Sequence, residues 1–284
     1  MSVEKKLSCI YCRGRLVREA ERLCCTSCGR EFFFKNDIAE MVDKRRASEA
    51  DLLIKRFYDE FPYDIDAGQV YEKLSPFSKK VFSSVKPGDR VVDVGCGVGR
   101  NIRRFMELGC SVIGVDQSIS SLRRIRRIDS EIELVNASVF NLPFNDEVFD
   151  VVTSVGVLHH TGDARRAFVE LARILKPGGT LYLSIYRKYG TYYFIYKSVG
   201  CVFRSLTMLR PIGLYFFYLF DKFLLKRGRS FRQSEAFFAD YFLVPVASFH
   251  TEREVCEWVK KEAMKCNVYK RHHPDMVSVI VTKT

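Results

Sequence analysis

Residues 91–100 read Val91-Val92-Asp93-Val94-Gly95-Cys96-Gly97-Val98-Gly99-Arg100. A short β-branched strand, Arg90–Val94, runs into glycines that open a helix over Arg100–Leu108. Glycine lets the backbone turn sharply and approach a ligand closely. Asp116 ends the next apolar strand, Ser111–Val115, and a carboxylate there can accept hydrogen bonds from two ribose hydroxyls. A dinucleotide fingerprint, GxGxxG, would require glycine where Arg100 stands; here the glycines run GxGxG. Asp93, just ahead of the loop, would repel a pyrophosphate and suits a cationic ligand. S-adenosyl-L-methionine carries an ammonium and a sulfonium and no phosphate, so it fits this loop better than a dinucleotide does.

Outward from the loop, helices and strands alternate. Helix Ser118–Arg127, strands Ile132–Val135 and Phe149–Ser154, helix Asp163–Leu175 and strand Thr180–Tyr186 follow in order. Asp163 can cap its helix, and Ala164, Ala167, Phe168, Leu171, Ala172 and Leu175 line one face. Lys176-Pro177-Gly178-Gly179 stops it. Such alternation implies an α/β fold, a mostly parallel sheet with helices on both faces. Further on, Thr251 and Glu254 form a capping-box pattern for a helix over 252–264, with Val255, Trp258, Val259 and Ala263 facing inward. Cys266–Lys270 and Met276–Val281 read as a closing hairpin.

Several motifs occur in order along this stretch: Asp93 to Gly99, Leu142-Pro143-Phe144, Phe149-Asp150, Leu158-His159-His160 and Leu175 to Gly179. Over residues 88–186 the chain resembles class I adenosylmethionine-dependent methyltransferases of the ubiquinone/menaquinone-biosynthesis-like branch. The resemblance implies a Rossmann-like seven-stranded sheet with an antiparallel last strand. It also implies roles. Gly95, Cys96, Gly97 and Gly99 would form the cofactor loop, Asp93 would orient the methionyl amino group, Asp116 would hold the ribose and Gln117 would flank the adenine. Ser138 stands where many relatives place an Asp against the adenine amine, with the Val139 backbone available beside it. His159 and His160 follow a strand at its carboxyl end, where ligands bind in such sheets. They are the candidate catalytic residues, although shaping the cofactor floor is the simpler role, because methyl transfer depends mainly on in-line positioning.

The N-terminal 42 residues are of another kind. Cys9-Ile10-Tyr11-Cys12 and Cys25-Thr26-Ser27-Cys28 are two CxxC knuckles. Four thiolates converging from two facing turns suit a closed tetrahedral Zn²⁺ site, which is structural and leaves no position for a catalytic water. Cys24 breaks the spacing. A segment this short needs the metal to fold. Its ending, Phe32-Phe33-Phe34-Lys35-Asn36-Asp37-Ile38, resembles that of zinc ribbons of the tRNA-methyltransferase-activator type, which implies a docking module. Residues 43–85 read as a linker or lid, with a charged helix over Asp43–Tyr58 and an aromatic run, Phe57 to Asp64, broken by Pro62. Residues 86–284 form the catalytic domain.

Within that domain, Arg187–Phe249 is an aromatic-rich insertion after the fifth strand. It reads first as an added helical layer with its own core. Its apolar character also fits a cover over a small or lipid-like acceptor, or peripheral contact with a membrane. The longest apolar run, Pro211–Phe220, is too short to span a bilayer, and Lys5 and Lys6 are followed by no apolar leader. The cytoplasm is therefore the expected compartment. A net charge of +12 favours an anionic partner such as RNA. Arg103-Arg104, Arg123-Arg124 and Arg126-Arg127 could follow phosphates, or could simply be solvated helix faces. No Asn-Pro-Pro-Tyr motif and no catalytic-cysteine motif is present. Three functions follow in order of preference: a small-molecule or lipid methyltransferase, an RNA methyltransferase, and a non-enzymatic scaffold.

Overall fold

The computed structural model describes residues 6–43, 48–61, 75–224, 229–270 and 273–284. Pro62, Tyr63 and Asp64 of the expected lid lie outside these residues, as does Lys5. In chain order come β1 (Leu16–Glu19), β2 (Arg22–Cys25), β3 (Glu31–Lys35), β4 (Ile38–Glu40), α1 (Glu49–Glu60), α2 (Pro76–Phe82), β5 (Arg90–Val94), α3 (Ile102–Glu107), β6 (Ser111–Asp116), α4 (Ile119–Ile128), β7 (Glu133–Asn136), β8 (Phe149–Val155), α5 (Ala164–Ile174) and β9 (Leu175–Tyr186). The insertion contributes α6 (Thr191–Lys197), α7 (Val199–Ser205), α8 (Arg210–Leu219) and α9 (Phe231–Phe238). The chain closes with α10 (Glu252–Lys261), β10 (Met264–Val268) and β11 (Met276–Lys283).

The strands form one sheet in the order β1-β2-β3-β4-β7-β6-β5-β8-β9-β11-β10. From β7 to β10 this is the expected seven-stranded arrangement. The β7-β6-β5-β8-β9 portion is parallel, and β11 enters antiparallel between β9 and β10. The order reverses between β5 and β8, so the crevice at their carboxyl ends is the place for a ligand. Apolar residues on the two sides of the sheet, such as Val92, Phe168 and Leu183 against Val91, Ile102 and Tyr182, enter separate core clusters. Period-two strands with helices on both sides produce that division.

One union leaves no sequence signal, and one sequence expectation needs correction. The N-terminal hairpins join the catalytic sheet. β4 pairs in parallel with β7, Ala39 opposite Val135 and Glu40 opposite Asn136, and so extends the catalytic sheet to eleven strands. Ile38 and Ala39 are buried by this union. Helix α10 ends at Lys261, and Ala263 is exposed with φ +55°. The chain must turn there to enter β10, so Ala263 cannot face the core. Elsewhere the capping reading agrees with the structure: Asp163 accepts from Arg166 N, and Thr251 and Glu254 form the reciprocal box.

The insertion has its own core. Tyr192, Tyr196, Ala239 and Val244 pack with Ile54 and Phe57 of α1. Thus α1 and the insertion close together over the carboxyl end of β9, at Tyr186. Among the described residues no helix is long and apolar enough to cross a membrane.

Candidate cofactor and acceptor site

A cavity of about 430 Å³ lies at the carboxyl ends of β5, β6 and β8. Its floor is the loop after β5. Gly95, Gly97 and Gly99 have φ of +76°, +54° and +78°, a region that side chains rarely adopt. The three glycines serve different ends. A Cβ at Gly95 would lie 2.4 Å from Val157, and one at Gly99 would lie 3.0 Å from Ile125. A Cβ at Gly97 would meet nothing within 4 Å, although Gly97 lines the cavity. That empty space is where a ligand can approach the backbone. Gly97→Ala is therefore expected to lose adenosylmethionine binding more than tenfold while costing about 1–2 kcal/mol of stability from the left-handed backbone. Calorimetry paired with a thermal melt checks both.

Two carboxylates flank the loop. Asp93 is buried and accepts a 2.6 Å hydrogen bond from Thr153 Oγ1. Burial, reinforced by the nearby Asp116 charge, raises its pKa to about 6. Asp116 accepts from Gly97 N and Ser118 N, each at 2.8 Å, so it ties the glycine loop to the end of β6. Burial raises its pKa also. Each of its oxygens keeps lone-pair capacity for a further donor.

Asp93, Gly95, Cys96, Gly97, Asp116, Gln117 and Val139 all line the cavity, together with His159 and His160. Gly99 and Ser138 are absent from that lining. Gly99 packs on Ile125 of α4, and the Ser138 hydroxyl accepts from Phe140 N. The size of the cavity, the open space over Gly97 and the two buried carboxylate acceptors fit adenosylmethionine.

The far end of the cavity holds the histidines. His159 is buried and stacks on Tyr186 with ring centroids 3.5 Å apart. Its Nδ1 accepts from Tyr186 N, and its Nε2 has no hydrogen-bond partner among the described residues. Burial drives its pKa well down, which makes it a neutral ring. His160 donates from Nδ1 to Val246 O at 3.1 Å, leaving Nε2 3.8 Å from Asp240 Oδ1. Tyr58 donates its hydroxyl to the same Asp240 oxygen at 3.0 Å. Burial lowers the pKa of His160 and raises that of Asp240, and each partner opposes the other's shift.

Tyr58, Asp240, Tyr186 and Tyr192 also line this end, and the sequence did not single them out as site residues. Tyr58 arrives on α1, and Asp240 on the π-turn Ala239–Leu243 of the insertion. α1 is held in place by Asp59, which accepts from Ser118 Oγ and Ser120 Oγ, both at 2.8 Å. Burial works to raise the Asp59 pKa, but these bonds and Lys55 prevail and hold it low.

At the other edge of the sheet, the sulfurs of Cys9, Cys12, Cys25 and Cys28 lie within 4.8 Å of one another. Cys9 and Cys28 are 3.6 Å apart, and Cys12 and Cys25 are 3.5 Å apart. A tetrahedron with metal–sulfur bonds of about 2.3 Å needs about 3.8 Å between sulfurs, so the cluster has nearly the spacing a metal requires. Cys24 stands outside it, 3.3 Å from Glu19 Oε2.

Residues 92–183 match a family model described as a methyltransferase domain. The sterol 24-C-methyltransferase erg6 of Schizosaccharomyces pombe is 34% identical over 102 residues, covering 34% of this chain and 27% of the relative. The Mus musculus protein named Probable tRNA methyltransferase 9B is 34% identical over 131 residues, 44% of this chain and 27% of its own length. Demethylmenaquinone methyltransferase of Corynebacterium kroppenstedtii is 38% identical over 96 residues, 34% of this chain and 41% of the relative. The chain thus spans less than half of these curated relatives. Among solved structures, an S-adenosylmethionine-dependent methyltransferase from Thermotoga maritima superposes with a TM-score of 0.52 at 18% identity, covering 83% of this chain and all of that one, which supports the fold. The matched stretch contains the glycine loop, Asp116, Val139 and both histidines, and residues 92–183 are accordingly similar to a methyltransferase domain.

Proposed function

We propose that this protein binds adenosylmethionine over the β5 loop and transfers its methyl group to a small or lipid-like acceptor held beneath the insertion. One observation carries the reading: a single cavity joins the Asp93–Gly97–Asp116 end to a second end built by Tyr58, Tyr186, Tyr192 and Asp240. Adenosylmethionine supplies an electrophilic methyl on a sulfonium. The chain's own residues bind and orient. In this reading Asp116 accepts from the ribose hydroxyls, Asp93 faces the methionyl ammonium, and Gln117 and Val139 border the adenine. The aromatic wall excludes water from the acceptor and stacks against it. His160 and Asp240 offer the only buried proton-accepting pair at the acceptor end among the described residues, while neutral His159 forms part of the floor. The four-cysteine cluster holds a structural Zn²⁺ in this account, remote from the chemistry.

The relatives are named for sterol, quinone and tRNA substrates. The motif pattern of the quinone-type branch and the apolar acceptor end favour the first two chemical classes here. The basic surface gives less support to RNA. Arg126, in the middle of the α4 cluster, hydrogen-bonds the Ser130 and Asp37 carbonyls and helps hold the N-terminal ribbon. Radiolabelled methyl transfer to fractionated cell pools tests the choice. Label should enter the organic-extractable fraction; label in RNA would overturn the acceptor class.

The buried Asp93 gives a pH dependence with a definite sign. Its folded pKa lies above the ordinary 3.8, so folding favours the protonated acid, and its contribution to stability is lost as pH rises through about 6. An ammonium ligand has the opposite preference and selects the carboxylate. Affinity for adenosylmethionine is therefore expected to rise about tenfold between about pH 5 and pH 7. The Asp93→Asn variant should bind more weakly and show no such rise in calorimetric titrations. Equal slopes for the two proteins would remove Asp93 from the site.

A further inference from the structure

The insertion leaves an apolar face uncovered. On α8 and the π-turn that continues it, Ile212, Phe216, Phe220 and Phe223 recur at three- and four-residue spacing, with exposures of 56%, 65%, 46% and 64%. Met208 and Leu224, at either end of the row, are 78% and 72% exposed. These side chains do not belong to an unfinished core. The opposite face of the same helix is already packed: Gly213 sits against Phe203 so closely that a Cβ would lie 2.4 Å from the ring. Phe217 meets Phe238 and Phe242 with ring centroids 5.8 and 5.9 Å apart. Asp221 is buried and paired with Arg229 at 3.2 Å. The helix is thus anchored on one side and presents aromatic and aliphatic side chains on the other.

The insertion that carries this face is rich in cations. Between Arg187 and Phe249 there are ten Lys and Arg residues against three acids. Two of those acids are engaged internally, Asp221 with Arg229 and Asp240 with Tyr58 and His160. Lys222 is exposed within the apolar row, its ammonium 5.7 Å from the Phe223 ring. A surface of anionic headgroups over hydrocarbon satisfies both the cations and the protruding phenylalanines.

We propose that the outer face of α8 seats on a membrane surface containing anionic lipid, with Phe216, Phe220 and Phe223 entering the headgroup–acyl boundary and Lys222 meeting lipid phosphates. The helix lies in the plane of the interface and does not cross it. The face is separate from the catalytic cavity. It is connected to it through α9, where Phe238 packs on Phe217 and its neighbour Phe237 lines the cavity.

The test is flotation of the full chain with two kinds of vesicle, pure phosphatidylcholine and phosphatidylcholine mixed with phosphatidylglycerol. The protein should float with the mixed vesicles and detach as salt is raised. Replacing Phe216 and Phe220 together with Asp should lower partitioning about tenfold or more, and Lys222→Glu should weaken it by a smaller factor. Both variants should keep wild-type affinity for adenosylmethionine by calorimetry, which shows that they fold. Failure of the wild type to float with the mixed vesicles would overturn the proposal. So would a concentration-dependent dimer that Phe216→Asp dissociates without any vesicle binding, since that result assigns the face to a second copy of the chain.

Discussion

Replacing Asp116 with alanine is expected to lower affinity for adenosylmethionine about a hundredfold while leaving the protein folded. The carboxylate is placed to do two things at once. It accepts from Gly97 N and Ser118 N at 2.8 Å, which fixes the loop, and it retains lone pairs toward the cavity for ribose hydroxyls. A hydrogen bond to a charged acceptor contributes about 1.5–3 kcal/mol, so losing two from the ligand corresponds to about two orders of magnitude or more. Stability should change little, because burial already disfavours the charge and the cavity can admit water to the two freed amides. Calorimetry and a thermal melt on the same sample separate the effects. An Asp116→Ala protein that binds as tightly as wild type would remove this residue from the ribose site.

The second large effect is expected at the opposite edge of the sheet. Purified protein should carry one equivalent of zinc, and stripping it should unfold residues 7–41, because structural zinc in small ribbons supplies about 10 kcal/mol of folding energy. The damage should not stop at the ribbon. β4 pairs with β7, and Met41 N donates to Asn136 O at 2.8 Å. Ser8 N donates to Pro143 O at 2.9 Å, Arg13 Nη1 to Leu142 O at 2.6 Å, and Asn141 Nδ2 to Ile10 O at 2.8 Å. The ribbon therefore braces the stretch from Asn136 to Phe144, which includes Ala137 and Val139 of the cavity wall. Hydrogen exchange should show lost protection over β7 and residues 141–144 after chelation, with β5 and β8 unchanged. A Cys25→Ser variant should reproduce the pattern. Unchanged exchange in β7 would mean that the ribbon merely touches the sheet.

That coupling shows where sequence reading reaches its limit. The two CxxC knuckles were legible because metal chemistry dictates residue type and spacing. The glycine loop and Asp116 were legible as cavity-lining residues because a strand, a left-handed turn and a carboxylate at the next strand's end each leave a local mark. The union of β4 with β7 leaves none: it is a backbone pairing of three residues, Ile38–Glu40, with a strand about a hundred positions away. Gly99 and Ser138 show a related limit. Motif register marks them as cofactor residues, and it carries no trace of the packing of Gly99 on Ile125 or of the bond from Phe140 N to Ser138 Oγ. Asp240 shows the converse. Nothing local in an aromatic insertion marks a functional acid, and only the folding of the insertion onto α1 brings it to Tyr58 and His160.

Titration of the wild-type protein with S-adenosylhomocysteine and, separately, with NAD tests the central claim most directly. One molecule of the adenosyl ligand should bind per chain, and NAD should give no heat. Binding of NAD, or no binding of either, would contradict the assignment of the β5 loop to adenosylmethionine.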